Sequence, residues 1–345
     1  MILAESWSAA FEAIASVPFN FGFVPEDSAV VAALRVGDGK LTLGPATRID
    51  VTALPLAQKD PEALRFVLAR IARVFPEGAL VAVWSEKHGE DAVGLLEDVR
   101  QTFNPTWTFE HHFGYFLITS EGILGMGADG EIWGRRDALE LAVTRIAMSH
   151  DACSLPRGEE ALRVERDPAS EITEAVARAR DDSAGRAWDS EMSRELTARF
   201  VRSVSEGGTA DPECQGALSH ALTRLDFRDG FLAWVLNGMP HVTDFSEAPV
   251  EAWLTAAENQ PPRPAIRAAQ KVLADVARHQ RPGQAAPELA CGAYLAWFSG
   301  DGSRPRVLMT QALGEDPEYS LALLVRDALA AALPPPWVDT DDAVA

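Results

Sequence analysis

The residues that could do chemistry in this chain are few, and most of them carry a plainer explanation. Gly125-Met-Gly127-Ala-Asp-Gly130 matches the G-x-G-x-x-G pattern of dinucleotide sites. That chemistry needs the glycines between a strand and a helix N-terminus, where backbone donors and the helix dipole meet a pyrophosphate. Here Glu131-Ile-Trp-Gly134 continues as strand or turn and Gly134 breaks any helix, so Ala128-Asp129-Gly130 reads as a hairpin turn. His111 and His112 are adjacent in a strand-like run, which points them to opposite faces and prevents both from binding one metal. His88, His150, His220, His241 and His279 have no E-x-x-H or C-x-x-C companion. Cys153, Cys214 and Cys291 are widely spaced and unpaired by motif, which predicts small, partly buried thiols and neither a disulfide framework nor a zinc site. The chain has no G-x-S-x-G elbow and no G-x-x-x-x-G-K-[ST] loop. No cofactor and no metal is expected, and an enzyme would have to be of an unfamiliar type.

One segment is denser in special residues than a simple lead-in strand requires. Val17-Pro18-Phe-Asn-Phe-Gly22-Phe-Val-Pro25-Glu-Asp27-Ser28 fixes an irregular path and places Asp27 and Ser28 where the first strand begins. Arg48 and Asp50 share one face of the next strand by period 2 and fall within reach of that loop. Their plainest role is an ion pair or a local backbone cap. With Glu86, just after a later strand, the five residues Asp27, Ser28, Arg48, Asp50 and Glu86 form a candidate polar site at the carboxyl ends of the strands. Asp339, Asp341 and Asp342 lack the glycine and terminal glutamate of a calcium loop, so they read as a solvated tail.

The elements that must position these groups alternate at first. Ala29–Val36 is an apolar run ended by Gly37-Asp-Gly-Lys40, and Leu41 to Val51 resumes it, which predicts a β-hairpin. Asp60-Pro61-Glu62 opens a helix with Asp60 as N-cap, closed at Pro76-Glu-Gly78. Ala79–Ser85 reads as a buried strand and Asp91–Phe103 as an amphipathic helix. Trp107 to Trp133 is strand-like again. From Arg136 onward the pattern turns helical, with helices expected over 137–150, 169–205, 213–237, 250–258, 264–279 and 287–298. The fold class is therefore an α/β domain with a mixed sheet and flanking helices, followed by an all-α domain. The expected limits are 1–150 for the α/β domain, 151–333 for the helical domain and 334–345 for a Pro-rich, then acidic tail. Trp337 is expected to dock on the last helices and the remainder of the tail to fray.

At 345 residues with 47% apolar content, the chain can build two sizeable cores. Fifty-one acidic against 31 basic residues give a net charge of -20, which argues against nucleic acid and anionic membrane as partners. The N-terminus lacks a basic n-region and an uninterrupted apolar run, and no window reaches the roughly 18 apolar residues of a membrane span. A cytosolic location is expected. Only four of the basic residues are lysines, a bias suggestive of a GC-rich genome.

Two blocks resemble a known family. Pro18 to Val51, with P-x-x-x-G-F-x-P-x-D-S, an apolar strand and Arg48-Ile-Asp50, is similar to the start of the actinobacterial domain-of-unknown-function family 4192 (DUF4192). Ala293 to Trp337, with A-W-F-S-G-D-G, A-L-x-x-D-P-x-Y-S-L-A and Leu-Pro-Pro-Pro-Trp, is similar to its C-terminus. Leu225-Asp-Phe-Arg228-Asp229 fits its middle, while Tyr115 to Ser170 departs from it. The resemblance implies a cytosolic protein of actinobacteria or their phages and brings no activity or site. Gly300-Asp301, Ala312 and Asp316-Pro317 also fall at the spacing of a tetratricopeptide-like helical hairpin. Together these features predict a non-catalytic protein-binding or scaffold module, whose partner surface would draw on Tyr294, Trp297, Tyr319 and Trp337. The alternative is an enzyme or small-ligand sensor using the strand-end polar site.

Overall fold

The computed structural model describes residues 10, 11, 13–18, 21, 23–37, 40–87, 89–119, 122–136, 159–209, 211–248, 252, 255, 256, 259, 262–301, 303–331, 333 and 335–337. The chain divides into two compact units, the break falling between Ala161 and Leu162. The helix expected over 137–150, most of that over 250–258, Cys153 and the acidic tail lie outside the described residues.

The first unit is built on a mixed six-stranded sheet. Its strands are β1 (Ser28–Gly37), β2 (Lys40–Asp50), β3 (Gly78–Trp84), β4 (His111–Thr119), β5 (Gly122–Met126) and β6 (Ile132–Arg136), in spatial order β2-β1-β3-β4-β5-β6. Only β3 and β4 run parallel. Such a pairing needs a crossover, and the amphipathic helix between them supplies it. The helices are a short α1 (Leu54–Lys59), α2 (Pro61–Val74) and the crossover α3 (Gly89–Phe103). The Asp60 carboxylate accepts from the Ala63 N–H and Pro61 takes the first helical position, as the sequence signals. Every residue of β3 is buried, which explains its unbroken apolar run. Ala29, Val31, Ala33, Val81 and Val83 pack against Leu64 and Leu68 of α2 and Leu96, Val99 and Phe103 of α3.

The Gly125–Gly130 segment is a hairpin turn. Gly125 belongs to β5, Gly130 adopts φ 89°, and the Glu131 N–H is bound by the Asp129 carboxylate before β6 begins. The element that directly follows the turn is β6, not a helix whose N-terminus could receive a phosphate.

The second unit is helical: α4 (Glu171–Gly185), α5 (Ser190–Glu206), α6 (Pro212–Leu222), α7 (Leu225–Leu236), α8 (Arg263–Arg278), α9 (Ala286–Phe298), α10 (Arg304–Glu315) and α11 (Ser320–Ala330). Two expected long helices are each divided. The 169–205 run breaks after Gly185, and Asp189 starts α5 by accepting from the Met192 N–H at 2.8 Å. The 213–237 run breaks at Thr223, whose hydroxyl donates to the His220 carbonyl at 2.7 Å and closes α6. An Asp cap and a Thr back-bond each outweigh apolar periodicity that continues past them.

The centre of this unit is an aromatic cluster of Phe200, Phe227, Phe231 and Phe245, all fully buried. Its tightest approach is Gly230 of α7, where an added Cβ would stand 1.8 Å from the Phe245 carbonyl oxygen. Gly230→Ala should therefore force α7 off the Phe245–Glu247 turn and lower stability by about 3 kcal/mol. Gly314→Ala in α10, where a Cβ meets nothing within 4 Å, should raise it by about 0.5 kcal/mol. Urea unfolding of the two variants checks the opposite signs.

Candidate functional site

The sheet register brings most of the predicted polar residues to one end of the first unit. Ser28 stands opposite Asp50 on β2 and opposite Trp84 on β3, so the start of β1 meets the carboxyl ends of both neighbours. Ser28 is fully buried; its hydroxyl donates to the Glu26 carbonyl at 2.6 Å and accepts from Arg48 Nη1 at 3.1 Å. The Arg48 guanidinium also lies over the Phe23 ring, 5.8 Å from its centroid.

Asp27 is the unusual member. Its backbone adopts φ 39°, one of two positive-φ residues other than glycine among the described residues. Asp tolerates that region better than most side chains but still costs of order 1 kcal/mol. Its geometry is fixed from both sides: the Asp27 carbonyl accepts from the Val51 N–H at 2.8 Å, and Asp27 Oδ1 accepts from Ser85 Oγ at 2.9 Å. The residue as a whole remains exposed.

Asp50 and Glu86 are placed differently. Asp50 Oδ1 accepts from the Thr52 N–H and hydroxyl, capping the 3-10 turn Val51–Ala53 that leaves β2. Glu86 is exposed beyond the end of β3. The sequence reading missed Ser85, which is buried, ties to β4 through its N–H to the Ile118 carbonyl, and holds the Asp27 carboxylate. Its only sequence signal was its position at the end of a buried strand.

The Ser28 proton is committed to a backbone carbonyl. What the cluster offers is an exposed carboxylate on a fixed backbone, set beside a guanidinium held on a ring.

A second polar cluster, at the opposite end of the sheet, was not foreseen. The His112 ring sits 4.1 Å from Trp107 and 4.4 Å from Tyr115, centroid to centroid. The Gly114 N–H donates to His112 Nδ1 at 2.9 Å, so a neutral ring carries its hydrogen on Nε2, which is buried without a partner. Burial holds this histidine down at about 4. On the neighbouring helix, hydrogen bonds from Arg100 and Gln101 pull the Glu97 carboxyl to about 2. The two histidines do face apart as expected, His111 exposed and His112 half-buried.

In the helical unit the four aromatics proposed as a partner surface are half-buried against the core. The Trp297 indole donates to the Leu333 carbonyl at 3.1 Å and the Trp337 indole to the Phe298 carbonyl at 2.6 Å. Tyr319 Oη lies 3.5 Å from Arg228 Nη1, and Tyr294 packs with its ring tilted against Trp297 and Phe298. Arg228 is itself buried and pairs with Asp229 at 2.7 Å. Cys214 and Cys291 are free and buried, and burial pushes the Cys291 thiol well above its usual range.

A mixed strand-and-helix unit ahead of a helical unit, with the Asp27-Ser28 junction and the Trp337 dock at its ends, fits one known grouping. The chain belongs to the family described as Domain of unknown function (DUF4192), whose model matches residues 11–107 and 128–336. No curated protein and no solved structure matches the chain. Asp27, Ser28, Arg48, Asp50 and Ser85 lie inside the matched segments; His112 and Tyr115 lie in the unmatched stretch between them.

Because His112 is neutral when folded but titrates near 6.5 when unfolded, the unfolded chain binds more protons between those values, and stability falls as pH drops. The first unit should lose about 2 kcal/mol between pH 7 and pH 5 from this residue. His112→Phe should flatten that part of the dependence in denaturant titrations at the two pH values.

Proposed function

We propose that the first unit is a sensor-like module that binds a small polar ligand at the carboxyl ends of β2 and β3. The observation that carries this reading is Asp27: a positive-φ, exposed carboxylate whose backbone and side chain are both pinned, by Val51 and Ser85. Strain retained at a residue over-determined by its surroundings is a feature of binding sites. The available groups favour a ligand that donates hydrogen bonds or carries positive charge, because Asp27 accepts while the Ser28 hydroxyl is already taken up by Arg48 and Glu26. No helix of the described residues is long and apolar enough to cross a membrane, and the net charge of -20 disfavours a polyanion, which fits a cytosolic small-molecule role.

A second reading, a protein-binding scaffold in the helical unit, is supported by the α9–α10 hairpin. Gly300 turns at φ 77°, Asp301 accepts from the Ser303 and Arg304 N–H groups, and Ala312 is fully buried. Those three features support a tetratricopeptide-like reading of the hairpin. Because Tyr294, Trp297, Tyr319 and Trp337 pack against the core, such a scaffold would bind through other residues.

The test is a thermal-shift and calorimetric screen of the full chain against amines, amino acids and nucleosides. A compound should stabilise the wild type, and Asp27→Asn should weaken its binding at least tenfold, about 1.4 kcal/mol, with circular dichroism unchanged. Binding that survives this variant, or no binder in any class, overturns the assignment.

A further inference from the structure

A different residue, in the helical unit, is buried with no chemistry yet assigned to it. Glu288 lies in the first turn of α9, a position where a glutamate ordinarily faces water and complements the helix dipole. Here it is 1% exposed, and neither carboxyl oxygen has a hydrogen-bond partner.

The hydrogen bonds of the nearby cations go to other groups, and Arg166 Nε is itself buried without a partner. Arg180 of α4 directs Nη1 to Ser219 Oγ at 3.1 Å, Gln280 Oε1 at 3.2 Å and the Gln284 carbonyl at 2.8 Å. Arg166, in the segment before α4, pairs with Glu315 of α10 and donates Nη2 to the Gln280 carbonyl at 2.8 Å. From α6 the facing group is the buried hydroxyl of Ser219, and from the end of α8 the uncharged Gln280, 1% exposed. One turn along α9, Cys291 meets Arg228 and Asp229 of α7, and Tyr319 approaches from the start of α11. α4 and α6 pack closely: a Cβ on Gly216 of α6 would stand 2.3 Å from the Val176 carbonyl of α4.

An ionised carboxylate in such a place, with neither oxygen hydrogen-bonded and only the Ser219 hydroxyl facing it as a donor, is far costlier than a neutral one. We propose that the helical unit folds around a protonated Glu288, making this carboxyl a proton-binding site whose ionisation loosens the junction of α4, α6 and the loop between α8 and α9. Burial dominates the electrostatics at this residue; Ser219, Arg180, its own backbone and Arg166 favour the charged form but are outweighed. The sign follows from linkage. A carboxyl whose folded value is raised contributes stability that is complete below its unfolded value and is lost as pH rises toward the folded one. Ionisation also supplies the structural response, because it offers the Arg180 guanidinium a stronger acceptor than Ser219 or Gln280.

The experiment is peptide-resolved hydrogen exchange on the full chain between about pH 5 and pH 8, corrected for intrinsic exchange. The opening equilibrium constant of α9 peptides should rise with pH by up to tenfold per unit in the wild type. It should stay flat in Glu288→Gln and in Glu288→Met, which are uncharged and of similar size. Parallel pH dependences in wild type and variants overturn the proposal. As a check that does not depend on the variants being stable, the infrared spectrum of the wild type at about pH 6 should contain a protonated, non-hydrogen-bonded carboxyl band. Its absence from the folded wild type overturns the proposal as well.

Discussion

The first unit is organised around β3, whose burial on both faces dictates what its neighbours do. A strand with no solvent face must be paired on both edges and covered on both sides. β1 meets that need antiparallel on one edge and β4 parallel on the other. The parallel edge requires the α3 crossover, and α3 in turn supplies Leu96, Val99 and Phe103 to one face of the core. The polar junction is a by-product of the same constraint. Ending β3 at Trp84 places Ser85 beside the start of β1, where the chain has just passed through the Pro25-Glu-Asp27 bend, and there Ser85 fixes the Asp27 carboxylate.

The helical unit solves a related problem with polar groups. Its α8–α9 loop carries backbone carbonyls that face inward, and unsatisfied carbonyls there would each cost about 1–3 kcal/mol. Arg180 and Arg166 satisfy those of Gln284 and Gln280, while Glu315 accepts the Gly283 N–H at 2.6 Å. Two guanidinium groups suit this task because each presents several donors in a fixed plane. Arg180 Nη1 is thereby shared among the Ser219 hydroxyl, the Gln280 amide oxygen and the Gln284 carbonyl.

How much was legible in the sequence depended on the range of the interaction. Local chemistry read well. The Asp60-Pro61 helix start, the Ala128-Asp129-Gly130 turn and the solid apolar run of β3 each follow from residues within one element. The neighbourhood of Asp27, Ser28 and Arg48 was visible because prolines and a glycine marked the bend and period 2 fixed the face. What failed were competing local signals and long-range meetings. Helical periodicity masked the breaks at Gly185 and Thr223, where caps decide the outcome. His112 read as an ordinary strand residue, because its ring meets Trp107 only after the chain leaves α3 and doubles back. Glu288 has the signature of a solvated first-turn glutamate, and only the packing of α4, α6 and α10 around it reverses that.

The two buried titratable groups act in opposite senses, and they do so in different units. A neutral His112 makes the first unit weaker as protons are added, since its unfolded form binds them more readily. A protonated Glu288 would make the helical unit weaker as protons are removed. Neither effect depends on the net charge of -20, which adds a general repulsion that falls as carboxylates are neutralised. The division is not complete, because burial also holds His220 of the helical unit below the usual histidine range, which adds an acid-side loss of stability to that unit.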